Sequence, residues 1–274
     1  MAADRMQQSR FELKYLISEE MALKVRDFVR CYLDFDENSV GKPNYSYPVH
    51  SLYLDSDRLQ MYWETINGDK NRYKLRLRYY DASPKSPVFF EIKRRMNNCI
   101  MKQRGGVKKN AVARLLSGHF PAMEDLISKE PRALAAVQNF VQLTDQIQAV
   151  PQAHVCYQRE AYIDPVSDNT RVTFDREVFT EPRYTVNFAT TMDAPSRPFG
   201  NRVILELKFT DRFPNWLRAL VARFNLVQCG AAKYAEGIAG LPDFGVSHAG
   251  DFREAPRAAG RLDPDKHLIA QRYA

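Results

Sequence analysis

Hydrophobic and polar residues alternate along several short segments of this sequence. Between residues 72 and 80 the even positions hold Arg, Lys, Arg, Arg and Tyr, and the odd positions hold Tyr and Leu. Because successive side chains of a β-strand point to opposite faces, this alternation predicts a strand with one charged and one apolar face. We predict strands over residues 10–17, 50–55, 71–81, 87–95, 100–106, 154–164, 170–179, 184–189 and 202–210.

Other segments have hydrophobic positions at helical spacing. Ser18 is a typical N-cap, and the apolar residues after it predict a helix that ends near Leu33. Residues 110–148 are rich in Ala, Leu and Gln and predict helical segments broken by prolines. Pro214 begins a further helix, whose apolar stripe runs to Phe224. Strands and helices together predict an α+β fold.

The sequence predicts one domain and a short tail. Of its 274 residues, those after about 246 show little periodicity, so we predict a domain over residues 1–246 and a loosely ordered tail over residues 247–274. No apolar run is long enough to cross a membrane, and the first residues have no apolar signal core. The cysteines are widely spaced, without a C-x-x-C pair, which disfavours a zinc site and fits a reducing compartment. We expect a cytoplasmic protein.

Basic residues exceed acidic ones, with 40 Lys and Arg against 33 Asp and Glu and a formal net charge of +7. In seven segments the charges share one face of the predicted strand. One interpretation is a half-buried antiparallel sheet whose charged face meets water. However, several cations on one face of a strand repel each other, and solvent-facing strands usually mix their signs. We therefore predict a closed antiparallel β-barrel, a tunnel with a basic, polar lumen and helices packed outside.

A lumen lined by Lys and Arg requires a polyvalent anion, since guanidinium groups match phosphate oxygens. Three E-x-K elements add carboxylates on the charged face: Glu12 and Lys14, Glu91 and Lys93, Glu206 and Lys208. Carboxylate oxygens suit hard divalent cations such as Mg²⁺ or Mn²⁺. The sequence has neither a P-loop motif nor the motif set of protein kinases. Charges spread along strand faces also disfavour nucleic-acid binding.

The order of short motifs resembles the VTC domain. The chain contains, in order, R-F-E-L-K-Y, H-S-L-Y-L-D-S-D, Y-K-L-R-L-R-Y-Y-D, F-F-E-I-K-R-R, K-Q-R, Y-Q-R, R-V-T-F-D-R, L-E-L-K-F and A-K-Y-A-E-G. The VTC domain is the polyphosphate polymerase branch of the triphosphate tunnel metalloenzymes, relatives of the CYTH phosphatases and cyclases. The resemblance runs from about Arg10 to Gly237, and it is specific because nine weak motifs keep the same order.

This resemblance implies an enzyme that transfers the γ-phosphate of ATP to a growing inorganic polyphosphate and uses Mn²⁺ or Mg²⁺. Its partners would be ATP and inorganic polyphosphate or triphosphate, with a separate membrane protein for any coupling to transport. The implied phosphate ligands are Lys14, Arg76, Arg78, Lys93, Lys102, Tyr157, Arg159, Arg171, Lys208 and Lys233. Of these, Lys14, Arg78, Lys93 and Lys208 carry the catalytic role, and Glu206 is the metal ligand.

The sequence departs from the family pattern at three positions. Ala232 stands where the family often has a serine, Gly230 where a further basic residue can occur, and Arg10 where the wider superfamily has a metal-binding glutamate. The last difference argues against the triphosphatase and cyclase branches. Two alternatives stay open: a hydrolase of triphosphate or polyphosphate on the same scaffold, and a polyphosphate-binding module without turnover.

Overall fold

The computed structural model describes residues 10–97, 99–166 and 169–241. Its strands are β1 (Arg10–Ile17), β2 (Asp34–Phe35), β3 (Ser46–Asp55), β4 (Asn71–Tyr79), β5 (Val88–Met96), β6 (Cys99–Val107), β7 (Val150–Ile163), β8 (Thr170–Pro182) and β9 (Val203–Thr210). Its helices are α1 (Glu19–Val29), α2 (Gln60–Ile66), α3 (Val112–Leu116), α4 (Pro131–Gln146), α5 (Asn215–Arg223) and α6 (Lys233–Ala239). In this described part of the chain, no helix is long and apolar enough to cross a membrane. The predicted tail lies outside it, so the domain boundary stays a prediction.

The strands join one antiparallel sheet. Their order is β1-β9-β8-β7-β3-β4-β5-β6, and the short β2 pairs with β7. The sheet curves strongly, since Lys93 on β5 reaches Glu12 on β1, with 2.9 Å between Nζ and Oε1. However, the edge strands β1 and β6 do not pair with each other. The predicted closed barrel is therefore wrong, and the fold is a mixed α+β fold with an open, curved sheet.

Loop segments cover both edges of the sheet, and they explain why it stays open. On β1, the carbonyl of Lys14 accepts a hydrogen bond of 2.9 Å from the N–H of Cys229. On β6, the carbonyl of Gly106 accepts one of 3.0 Å from the N–H of Ile127. These contacts occupy backbone groups that a closed barrel would pair between the two strands.

Helices cover one face of the sheet in two apolar clusters. The first joins β4 and β5 to α4 and includes Leu75, Leu77, Phe90, Val137 and Phe140. The second joins β9 to α1 and α5 and includes Val25, Val29, Leu205, Leu207 and Leu217. The alternation in the sequence therefore predicted the covered face correctly. A slip of one residue would turn these leucines to the other face, so their burial fixes the strand register.

Gly105 allows α4 to approach β6 closely. A Cβ atom at this position would lie 2.4 Å from Cγ2 of Val137 and 2.6 Å from the carbonyl oxygen of Ala133. Real Cβ atoms do not approach backbone oxygens so closely, so a larger residue would push α4 away from the sheet. The glycine is explained by helix packing.

Most predicted elements are confirmed, with two clear differences. Ser18 caps α1, accepting a hydrogen bond of 3.2 Å from the first helical turn, but the helix ends before Leu33. Residues 184–189 form no strand. In that segment Asn187 accepts a hydrogen bond of 2.8 Å from the N–H of Ala189. This local side-chain contact favours a turn over a sheet ladder.

Candidate functional site

The face of the sheet opposite the helices, which we call the charged face, collects the basic side chains. Strand alternation places on it Lys14, Lys74, Arg76, Arg78, Lys93, Lys102, Arg104, Arg159, Arg171 and Lys208, and α6 adds Lys233. The acids among them are Glu12, Glu91, Asp175 and Glu206. Each acid contacts at least two of the cations. The face therefore combines a network of ion pairs with an excess of positive charge.

The Glu91 cluster consists of Glu91 and four cations from β4 and β6. Oε2 of Glu91 lies 2.7 Å from Arg76 and 3.8 Å from Arg78. Oε1 lies 2.8 Å from Lys102 and 3.4 Å from Arg104. Burial alone would raise the pKa of Glu91, but the charges of Arg78 and Arg76 hold it well below its usual range. One ionised carboxylate thus faces four cations.

The Glu206 cluster contains two carboxylates. Glu206 lies 2.7 Å from Lys208 and 3.0 Å from Lys233. Asp175 lies 2.6 Å from its cross-strand partner Arg159 and 2.7 Å from Lys233. Burial would raise the pKa of both acids, but Lys208 lowers that of Glu206 and Arg159 lowers that of Asp175. Both acids are therefore ionised, and they offset two of the three positive charges of Arg159, Lys208 and Lys233.

Glu12 connects the two sides of the curved sheet. Its two carboxylate oxygens lie 2.9 and 3.0 Å from Nζ of Lys93. One of them also lies 3.2 Å from Nζ of Lys14, which is itself 3.7 Å from Glu206. Against the effect of burial, Lys93 and Lys14 hold the pKa of Glu12 far below its usual range. An ion-paired bridge thus encloses the charged face where the backbone stays open.

Two tyrosines orient the arginines of β4. The hydroxyl of Tyr157 accepts a hydrogen bond of 3.1 Å from Arg78, and that of Tyr53 accepts one of 3.1 Å from Arg76. Nζ of Lys233 lies 4.9 Å from the centre of the Tyr157 ring. These contacts fix guanidinium groups before any ligand binds.

The structure brings together most of the predicted site residues. Those that join the Glu91 cluster, the Glu206 cluster or the Glu12 bridge are Lys14, Arg76, Arg78, Lys93, Lys102, Tyr157, Arg159, Glu206, Lys208 and Lys233. Arg171 forms none of these ion pairs, since it donates a hydrogen bond of 2.6 Å to Asp36, next to β2, although its cross-strand neighbour is Lys208. The roles of all these residues in binding and catalysis stay predictions.

The site residues that the family resemblance implies do not include every charged side chain of the charged face. Lys74 and Arg104 alternate in step with assigned residues of the same strands, so the pattern already contained their signal. Asp175 is different, because its pairing with Arg159 depends on the register of β7 and β8. A sequence without a structure does not give that register.

The donor chemistry of the charged face fits a divalent cation, although the protein supplies few ligands. In residues 10–97, 99–166 and 169–241, no three His, Cys, Asp or Glu side chains are grouped to hold a metal ion. Glu206 is ionised and offers hard oxygen donors, yet each of its oxygens contacts a lysine. Mg²⁺ or Mn²⁺ at Glu206 would therefore take further ligands from a bound phosphate chain.

Comparison with known proteins identifies the family. The family model described as the VTC domain matches residues 9–241, most of the sequence. The chain belongs to the VTC domain family. It is thus a member of a family of enzymes that bind polyphosphate or triphosphate, as the motif resemblance implied.

Two further comparisons are with curated protein sequences and with solved structures. No curated protein sequence matches the chain. A solved structure of a Bacillus halodurans protein, proposed to be an adenylate cyclase, resembles this VTC domain over 82% of this chain and 94% of its own. The two sequences are 13% identical, and the TM-score is 0.44.

Proposed function

We propose that this VTC domain is a metal-dependent polyphosphate polymerase, which transfers the γ-phosphate of ATP to a growing inorganic polyphosphate and releases ADP. The observation that carries the proposal is an unpaired hydrogen-bond donor. The Nε–H group of Arg78 is buried, and it has no hydrogen-bond acceptor among the described residues. The Glu91 oxygen in front of it is 3.8 Å away. A buried N–H group without an acceptor is costly, and a phosphate oxygen would supply one.

The other cations support the same proposal because they are positioned in advance. Arg76 is held by Glu91 and Tyr53, and Arg159 is held by both oxygens of Asp175. Charged groups that are already oriented stabilise a developing negative charge without reorganisation. Phosphoryl transfer depends mostly on such positioning and neutralisation.

A metal ion would add to this neutralisation. Mg²⁺ or Mn²⁺ bound at Glu206 would neutralise charge on the phosphate oxygens during transfer. Lys208 and Lys233 now contact Glu206 and would turn to phosphate oxygens. Lys14, Arg78, Lys93 and Lys208 would surround the transferred group. The acceptor, a terminal phosphate oxygen, is already ionised, so no strong general base is needed.

A direct assay tests the proposal. The protein is incubated with ATP and Mn²⁺, and the products are separated on a polyphosphate gel while ADP is measured. Long phosphate chains together with ADP support the polymerase. A parallel incubation with inorganic triphosphate and Mn²⁺ that releases orthophosphate, without chain growth from ATP, would instead identify the hydrolase. Tight phosphate-chain binding without ADP release in any divalent metal would identify a binding module.

A further inference from the structure

Lys74 differs from the other lysines around it. It is partly buried on β4, on the same face as Arg76 and Arg78. Its cross-strand neighbour on β5 is Lys93, which lies opposite Lys102 on β6. We call Lys74, Lys93 and Lys102 the lysine row.

Two members of the lysine row have acidic partners. Nζ of Lys93 lies 2.9 Å from Glu12, and Nζ of Lys102 lies 2.8 Å from Glu91. Lys74 has no such partner, because no carboxylate of the described residues forms an ion pair with it. Among the described residues, Lys74 is thus the member of the row that lacks an acidic partner.

The charges that most affect Lys74 are positive. They come from Lys14, Lys93, Arg72 and Arg76. Burial, and then the charges of Lys14 and Lys93, lower the pKa of Lys74 to about 7. An ammonium group in such surroundings is stabilised by an anion that the protein itself does not supply.

The position of Lys74 on β4 indicates which part of an anion it would meet. Lys74 and Arg78 are four positions apart, which is roughly 13 Å along a strand. Arg76 lies between them and, like Arg78, belongs to the Glu91 cluster. A triphosphate held at Arg78 and Arg76 would end before Lys74, whereas a longer chain would reach it.

We propose that Lys74 binds the part of a polyphosphate chain that extends beyond the phosphates nearest Arg78, and that it thereby gives the site a preference for long chains over triphosphate. The inference rests on the proposed function only in that phosphate chains bind the charged face. It makes Lys74 a specificity-determining residue.

The test measures binding without nucleotide or metal, so that it does not depend on polymerase activity. Calorimetry at one ionic strength compares tripolyphosphate with a long linear polyphosphate on the wild-type protein, Lys74→Met and Lys74→Arg. Lys70→Met is the matched control, since Lys70 is an exposed lysine just before β4. Melting temperatures without ligand are measured on the same preparations.

In Lys74→Met we expect the affinity for the long chain to fall roughly tenfold or more, with little change for tripolyphosphate. At or below pH 7, Lys74→Arg and Lys70→Met should stay close to wild type. The melting temperature of Lys74→Met should be unchanged or higher, because the residue has no acidic partner. Equal losses for both ligands, or no loss at all, would overturn the inference. If the wild type binds neither chain, the proposed function fails with it.

Discussion

The Glu91 cluster and the Glu206 cluster both hold several cations together, but with different numbers of acids. In the first, the single carboxylate of Glu91, only 1% exposed, faces four cations. In the second, Glu206 and Asp175 share Lys233. The first cluster therefore has three more cations than acids, whereas the second, with Arg159, Lys208 and Lys233, has one more. Burial lowers the pKa of Lys102 to about 7, so one of the four cations of the first cluster is only partly charged near pH 7.

The two clusters also differ in access to solvent. The side chain of Lys102 in the Glu91 cluster is 44% exposed, whereas that of Lys233 in the Glu206 cluster is 8% exposed. The Glu91 cluster thus has the charge and the access to attract a phosphate chain. In the Glu206 cluster, the carboxylate oxygens of Glu206 become available only when the lysines bind a ligand instead. Such a site suits a metal ion that binds together with phosphate. The comparison separates phosphate binding from metal binding.

The largest expected effect is on stability, from removing the single acid of the first cluster. Glu91→Gln leaves Arg76 and Arg78 buried without their counter-charge, and we expect the free energy of unfolding to fall by about 3–5 kcal/mol. Excess tripolyphosphate should restore part of the loss, because it supplies anions to the folded state only. Chemical denaturation with and without tripolyphosphate measures both effects.

The control for this variant is Glu20→Gln, which removes an exposed carboxylate paired with Lys24. It should leave stability and its response to tripolyphosphate as in the wild type. A Glu91→Gln protein as stable as the wild type would show that the cations do not depend on Glu91, and the proposed difference between the clusters would be lost.

The next effect concerns turnover. Glu206→Gln keeps the shape of the side chain, and Asp175 still pairs with Arg159 and Lys233, so the loss of stability should be smaller than in Glu91→Gln. Metal-dependent ADP release should fall by roughly 100-fold or more, while triphosphate affinity stays comparable or rises. Near-normal turnover at saturating metal, with a lower melting temperature, would instead make Glu206 a structural ion-pair partner.

A smaller effect is expected for one phosphate contact. Arg78→Ala should weaken triphosphate binding by about 1.5–3 kcal/mol, the range of hydrogen bonds to charged groups, with little change in stability. Arg171→Ala is the comparison, because Arg171 pairs with Asp36 outside both clusters. It should lose less affinity. An unfolded Arg78→Ala protein, or an equal loss in both variants, would contradict the assignment of phosphate binding to the Glu91 cluster.

Alternation predicts much of this arrangement because it depends only on local geometry. Leu75 and Leu205 face the helices as expected, and Arg76 and Lys208 lie on the opposite face. Whether a sheet closes depends on which groups occupy its edges. Here Cys229 bonds to β1 from far along the chain, and no local pattern indicates such a contact.

The limits of the site prediction have the same origin. Lys102 reaches Glu91 diagonally across the register of β5 and β6, and Lys233 reaches Glu206 from α6, and the sequence specifies neither the register nor the docking of the helix. The helix that carries Lys233 is only seven residues long, Lys233–Ala239, which is too short for a clear periodic signal. The motif A-K-Y-A-E-G, rather than a helical periodicity, therefore identified Lys233 as a candidate site residue.

The smallest expected effect is a pH dependence of stability and binding that comes from Lys74. This residue lies on β4 beside the Glu91 cluster and adds to its excess of positive charge. The groups that face it are Arg72, Arg76, Lys93 and Lys14. Burial and the charges of Lys14 and Lys93 lower the pKa of Lys74 from 10.5 to about 7. Without ligand, the unfolded chain binds more protons than the folded protein between pH 7 and 10.5, so this residue makes stability rise with pH over that range.

Binding of a phosphate chain has the opposite pH dependence. Below about pH 7 Lys74 is already charged, whereas above it binding must take up a proton, so the long-chain affinity falls by at most about tenfold per pH unit. Burial also lowers the pKa of Lys93, that of Lys102 to about 7 and that of Lys208 to about 8. The contribution of Lys74 is therefore the difference between wild type and Lys74→Arg at each pH, in which ionisation of the ligand and of the other lysines cancels. Calorimetry from pH 6 to 9 should show a steeper fall in the wild type. If the affinities of wild type and Lys74→Arg fall in parallel with pH, Lys74 keeps its proton in the free protein. The excess positive charge of the Glu91 cluster would then be neutralised by other groups.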